Sequence, residues 1–262
     1  MFGFTYEDYD CEVYAINKYI KPINSNKLNC IMILSGGETM FEIAPIFANH
    51  NLIAVDFNKE QIKTVENKIS KMNSCFSYKK YIDSLVTPFD ELFIRIKNRE
   101  NFKDVFSNEN LINKFGSNAV INTSENFHEH FENIYKLKKI HNDKFYNWIF
   151  ERKMDTLVYD IYKKSKNDIN SIKSVNIVCD NILNLLTPDT YDFIQVSNLG
   201  DWMNHDDFLI FCSTIKKSLK YKGICVARRL LSDNILTDQF DGCENVNDKT
   251  MFYKETIIWQ KL

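Results

Sequence analysis

The chain has 262 residues, 44% of them hydrophobic, with 33 Lys and Arg against 35 Asp and Glu for a net charge of −2. That balance leaves no basic excess for phosphates and argues against a general nucleic-acid binder, and no apolar run is long enough to span a bilayer. The N-terminus lacks the basic start and apolar core of a signal peptide, and seven cysteines without a CxxC pair read as reduced thiols, so a cytoplasmic protein is expected.

Residues up to about 25 precede the first strand. Val13, Ile16, Tyr19 and Ile20 fall at helical spacing and predict an amphipathic helix against the sheet edge. A lid that carries Tyr6, Glu7 or Asp8 over a ligand is the functional alternative.

Cys30 to Leu34 is a short apolar run, followed by Ser35-Gly36-Gly37-Glu38, a short helical stretch, and a second apolar run from Asn51 to Asp56. The pattern predicts strand, glycine turn, helix, strand, acid, with both strands buried on both faces. Gly36 and Gly37 allow a sharp bend and close approach of a ligand. Asp56 stands 19 residues after Gly37, the place from which an acid takes ribose hydroxyls in nucleotide-binding βαβ units. The turn is not G-x-G-x-x-G, so there is no cradle for a pyrophosphate. S-adenosylmethionine fits this turn better than NAD or ATP.

Asn58 is placed to cap the next helix with Gln61 three residues on, and Ile62, Val65, Ile69 and Met72 form its apolar stripe. From 73 to 172 the βαβ rhythm stops. Apolar residues there fall at helical spacing, among them Leu92, Phe93 and Ile96, then Phe131, Ile134, Tyr135 and Leu137. A helical insertion that caps an acceptor site is expected. Its His128-Glu129-His130 run lacks the i, i+4 spacing of helical ligands, and no metal is assigned.

The rhythm returns at Val175 to Asp180, a third strand. Asp180 and Asn181 are placed either to meet an adenine or to cap the next helix. Tyr191 to Val196 is a fourth strand that runs into Ser197-Asn198-Leu199-Gly200-Asp201-Trp202, a polar cluster at the strand edge where open parallel sheets bind ligands. Asn204 caps a helix that Gly223 is expected to close. Ile224 to Ala227 is a fifth strand leading to Arg228 and Arg229, which alternation sends to opposite faces, so that one can meet a ligand carboxylate. Residues 232–247 read as a polar connection, and Met251 to Gln260 as a last strand.

Four stretches then occur in a familiar order: Tyr6-Glu7-Asp8, Ser35-Gly36-Gly37-Glu38 with Ala54 to Asn58, Ser197 to Trp202, and Asp248 to Tyr253. On these the chain resembles the S-adenosylmethionine:diacylglycerol 3-amino-3-carboxypropyltransferases of betaine-lipid synthesis and their relatives. Lys59 stands where that family has a proline and Lys249 where it has an arginine. The resemblance implies an α/β, class I methyltransferase-like (Rossmann-like) fold with a mostly parallel sheet and a helical insertion between strands 2 and 3. The expected division is 1–72, 73–172 and 173–262.

It also implies a transferase that moves the 3-amino-3-carboxypropyl group of S-adenosylmethionine to a small-molecule or lipid acceptor and releases methylthioadenosine. A lipid acceptor would bring peripheral contact with a membrane. An ordinary methyltransferase on the same scaffold, or a non-catalytic S-adenosylmethionine-binding protein, are the alternatives. The expected cofactor set is Ser35, Gly36, Gly37, Asp56, Phe57, Asp180, Asn181, Ser197 and Asn198. Asp201 and Tyr253 are the candidates for a base, and Tyr6, Glu7, Asp8, Arg228 and Arg229 for substrate binding.

Overall fold

Seven strands form one sheet in the order β3-β2-β1-β4-β5-β7-β6 in the computed structural model. It describes residues 7–20, 27–72, 80–81, 83–85, 88–98, 100–115, 117, 127–141, 146–147, 150–151, 157–250 and 252–262. In chain order the elements are α1 (Asp10–Ala15) with a π turn (Ile16–Ile20), β1 (Asn29–Ile33), α2 (Glu38–Ile43), β2 (Asn51–Asp56) and α3 (Lys59–Lys71). Among the described residues there follow α4 (Pro88–Lys97), α5 (Phe102–Val105), α6 (Asn108–Phe115), α7 (Phe127–His141), α8 (Leu157–Asn167) and α9 (Ile169–Lys173). The rest are β3 (Asn176–Cys179), α10 (Ile182–Leu185), β4 (Tyr191–Gln195), a 3₁₀ turn (Leu199–Trp202), α11 (His205–Ser218), β5 (Leu219–Arg229), β6 (Glu244–Asn245) and β7 (Glu255–Gln260).

Strands β1 to β5 run parallel, and β7 runs antiparallel to β5 and β6. The order turns from one direction to the other between β1 and β4, which makes the gap at their carboxyl ends the topological switch point. This is the class I methyltransferase-like, Rossmann-like arrangement.

Alternation explains why the strands read as unbroken apolar runs. Cys30, Met32, Phe193, Ile224 and Val226 bury into one layer, with α1, α2 and the helices after α3. Ile31, Val55, Ile194, Cys225 and Ala227 bury into the other, with Phe208, Phe211 and Ile215 of α11. Between Met72 and Asn176 every element among the described residues is helical. There Phe93 packs edge-on against Phe106, Phe131 and Phe150, and Phe252 from the loop before β7 packs on Phe93 and Phe131. Tyr162 of α8 meets Phe41 of α2. These helices therefore pack on α2 and, through Phe252, on the approach to β7, both at the carboxyl edge of the sheet. Among the described residues no helix is long and apolar enough to cross a membrane.

The structure corrects four local expectations. The N-terminal helix packs on the sheet face, with Ala15, Ile16 and Ile20 in the core, rather than at its edge. Gly223 does not close α11, which ends at Ser218; it lies inside β5, where a Cβ would come within 2.8 Å of the Tyr191 carbonyl. Lys222 beside it has φ 66°, and the β4–β5 register shifts there, so a bulge needs the glycine. The polar connection ends in β6, and the last strand starts at Glu255, because residues 252–254 turn away to line the carboxyl edge. Met251 lies outside the described residues.

Candidate functional site

The glycine turn is built from below. Ser35 (φ 46°) and Gly37 (φ 97°) both take left-handed backbone, and the Gly37 N–H donates to the Leu34 carbonyl at 2.9 Å. A Cβ on Gly37 would press on Phe41 and Val65 at 3.1 Å, so glycine is needed twice over. The Ser35 carbonyl accepts from Gln61 Nε2 (2.7 Å) and the Gly36 carbonyl from Lys68 Nζ (2.5 Å). Gln61 thus holds the turn instead of completing a capping box; Asn58 does cap α3, accepting from the Glu60 N–H. Lys68 also pairs with Glu38 at 2.7 Å, both side chains sealed from water, and Tyr162 of α8 donates to the same Glu38 oxygen. Sequence reasoning passed over this pair. Lys68 lies three residues after Val65 and four before Met72, on the apolar stripe, and that was the available signal.

At the tip of β2 the Asp56 carboxylate accepts the Asn58 N–H at 2.9 Å and a backbone bond from Ser35. Burial pushes its carboxyl from 3.8 up to about 6. Phe57 beside it is 76% exposed, an aromatic face left to solvent at a strand end. Asp56 pairs in register with Cys179 of β3, so Asp180 and Phe57 are neighbours. Asp180 accepts from the Asn181 N–H and from Asn184 Nδ2, and Asn181 caps α10 through the Leu183 N–H. Asn181 therefore serves the helix.

The N-terminal segment enters the switch point. Glu7 accepts from Thr39 Oγ1 of α2 (2.7 Å), Gln195 Nε2 of β4 (3.0 Å) and Ser197 Oγ just past β4. Ser197, like Ser35, is left-handed, with φ 50°. Asp8 accepts from the Lys249 N–H, and burial raises its carboxyl. Tyr6 lies outside the described residues.

Arg228 is fully buried, with Glu12 bound through both terminal nitrogens, Asp248 at 3.2 Å, the Asp8 carbonyl at 3.1 Å and Glu7 at 3.7 Å. Burial pushes the Glu12 carboxyl up against the pull of Arg228, and Glu7 adds to the push. Arg229, on the opposite face, pairs with Glu255 at 2.8 Å and donates to the Ser232 carbonyl. Both arginines are committed to the protein's own acceptors. Where the sequence had one of them meet a ligand carboxylate, the structure sets Glu12, a residue with no assigned role, against Arg228.

Both candidate bases have partners within the protein. Asp201 accepts from Asn198 Nδ2 and the Leu230, Leu231 and Ser232 N–H groups, and from Ser232 Oγ. Five donors occupy a carboxylate with about four lone-pair directions, so it staples the loop after β5 and has no place for a substrate proton. Asn198 is held in the same staple. The Tyr253 ring lies against the Arg228 guanidinium at 5.6 Å. Burial and the Glu7 carboxylate hold its phenol well above the ordinary range, which makes it a donor and not a base. His130 Nε2 donates to the Phe252 carbonyl at 2.8 Å, and burial lowers its affinity for a second proton.

Strand order, the antiparallel last strand and the acid at the tip of β2 define a class I methyltransferase-like protein. No protein-family model and no curated protein matches the chain. Among solved structures it is similar to the rRNA methyltransferase aviRa from Streptomyces viridochromogenes, at 6% identity and a TM-score of 0.44, over 99% of this chain and 87% of that one.

Proposed function

We propose that the chain is an S-adenosylmethionine-dependent transferase that moves the 3-amino-3-carboxypropyl group to a nucleophilic acceptor. The observation that carries the cofactor is the half-buried Asp56 carboxylate at the tip of β2, beside the strained Ser35–Gly37 turn and the exposed Phe57 ring. An acid there takes two ribose hydroxyls, and the ring covers an adenine. At the switch point one guanidinium, Arg228, faces Glu7, Glu12 and Asp248. That negative surplus suits a ligand with a sulfonium and an ammonium.

The finer reading is supported by convergence. Three of the four stretches that carry the family resemblance meet around one crevice, Glu7 on Ser197 and Asp8 on Lys249, and Thr39, next after the glycine-turn stretch, joins them on Glu7. In the reaction the acceptor's lone pair forms a bond to the γ-carbon. The carbon–sulfur bond breaks toward sulfur, neutral methylthioadenosine leaves, and the acceptor's proton goes to solvent. Selection among the three carbons of the sulfonium is a matter of which lies in line at about 3–3.5 Å.

Methyl transfer is the second reading, and one observation favours it: Arg228 and Arg229, the two guanidinium groups at the end of β5, are both engaged by the protein's own acceptors and not left to hold a displaced α-carboxylate. Mass spectrometry of the nucleosides formed from S-adenosylmethionine and cell extract decides between them. Methylthioadenosine with a four-carbon amino acid gain on the acceptor supports the first, S-adenosylhomocysteine with a one-carbon gain the second. Bound but unconsumed S-adenosylmethionine would mark a non-catalytic binder.

A further inference from the structure

We infer that the cleft between α7 and the β6–β7 pair is the acceptor subsite of the transferase proposed above, on which this inference rests, and that it takes a small, water-soluble amine or alcohol rather than a lipid. The cleft holds about 520 Å³, within the range for small-molecule sites. Its floor includes Thr256, 2% exposed, whose hydroxyl has no hydrogen-bond partner. A buried hydroxyl without a partner costs free energy unless something binds it, and the residue that carries it lines the cleft. The register of β7 sets Thr256 opposite Arg228, next to the buried cluster.

The chemistry of the walls selects the ligand. Asp248 and Glu255 border the cleft, each paired with an arginine, Arg228 or Arg229, and Lys254 stands in the same wall. Asn133 and Asn247 offer neutral amides, and His130, with its Nε2 proton on the Phe252 carbonyl, keeps Nδ1 as a lone-pair nitrogen. Among the described residues the aliphatic lining is Ile134, Leu137 and Val246, beside the Tyr253 ring, too little for acyl chains. Tyr253 is the link to the chemistry. It lines the cleft, while its ring lies 5.6 Å from the Arg228 guanidinium, which Glu7 and Glu12 face at the switch point. A nucleophile seated beside Tyr253 is one side chain away from the crevice.

The test is a titration of protein methyl-labelled at Ile, Leu and Val, with ethanolamine and glycerol as probes and phosphatidylcholine vesicles as the lipid comparison. Ethanolamine or glycerol should shift the Ile134, Leu137 and Val246 methyls saturably. Thr256→Val should weaken that binding at least tenfold while the melting temperature holds or rises, since a stranded hydroxyl is removed; Asn133→Leu, on an exposed helix position, should weaken it as well. No shift with either probe, unchanged binding in both variants, or shifts with vesicles alone would overturn the inference. Calorimetry with S-adenosylmethionine separates the two readings. Shifts without cofactor binding keep the cleft and remove the transferase; cofactor binding without shifts does the reverse.

Discussion

The Lys68 ammonium lies 2.7 Å from the Glu38 carboxylate, both out of reach of water, and the same ammonium holds the carbonyl of Gly36. A helix after β2, the residue that ends the glycine turn and the turn itself are thereby one unit. Removing one member strands a buried charge. Lys68→Met should cost about 3–5 kcal/mol, and Glu38→Leu in the same chain should restore much of it, because an apolar pair needs no desolvation. Denaturant titration of the two singles and the double checks this.

Arg228 reads as an internal counter-ion rather than a ligand contact. Arg228→Met leaves Glu12 and Asp248 unpaired in the core and should cost about 3–5 kcal/mol or prevent folding. Lysine is no rescue, since it cannot reproduce the two-nitrogen grip on Glu12. A stably folded Arg228→Met protein that had lost only ligand affinity would return this residue to the substrate site.

Asp56 yields a prediction with a sign. Its carboxyl is raised from 3.8 to about 6 by burial, so between those values the folded chain holds more proton than the unfolded chain. Asp56 therefore lowers stability as pH rises from about 4 to about 6, and Asp56→Asn should flatten that part of the difference curve. Cofactor binding should run the other way, strengthening as the carboxylate forms through about pH 6. Asp56→Ala should weaken S-adenosylmethionine roughly ten- to a hundredfold by calorimetry, the loss of about 1.5–3 kcal/mol for a charged contact.

Gly223 is a probe of the bulge. An alanine there meets the Tyr191 carbonyl at 2.8 Å and the Lys220 carbonyl at 3.0 Å, both backbone, so the strand must shift. A loss of about 1–3 kcal/mol is expected. Gly242, with φ 72° and open space around it, should lose less to alanine, from backbone strain alone. Thermal unfolding of the two variants compares a steric with a conformational cost.

The βαβ start was legible because its signals are local. Apolar runs at 30–34 and 51–55 state burial on both faces, two glycines state a turn, and Asp56 states a strand tip. The antiparallel end of the sheet, β6 and the bulge at Lys222 were not, since they depend on which strand lies alongside.

By itself the sequence determined the alternation of strands and helices, the two-sided burial of the sheet and the position of Asp56 beyond the turn. Only the tertiary structure decided which charges serve the fold. Arg228, Asp201 and Lys68 look like site residues or surface residues in a linear reading. Their partners are Glu12, the 230–232 backbone and Glu38, separated from them by 216, about 30 and 30 positions. A charge is available to a ligand only when no closer counter-charge claims it, and that claim is made across the fold, where no sequence spacing records it.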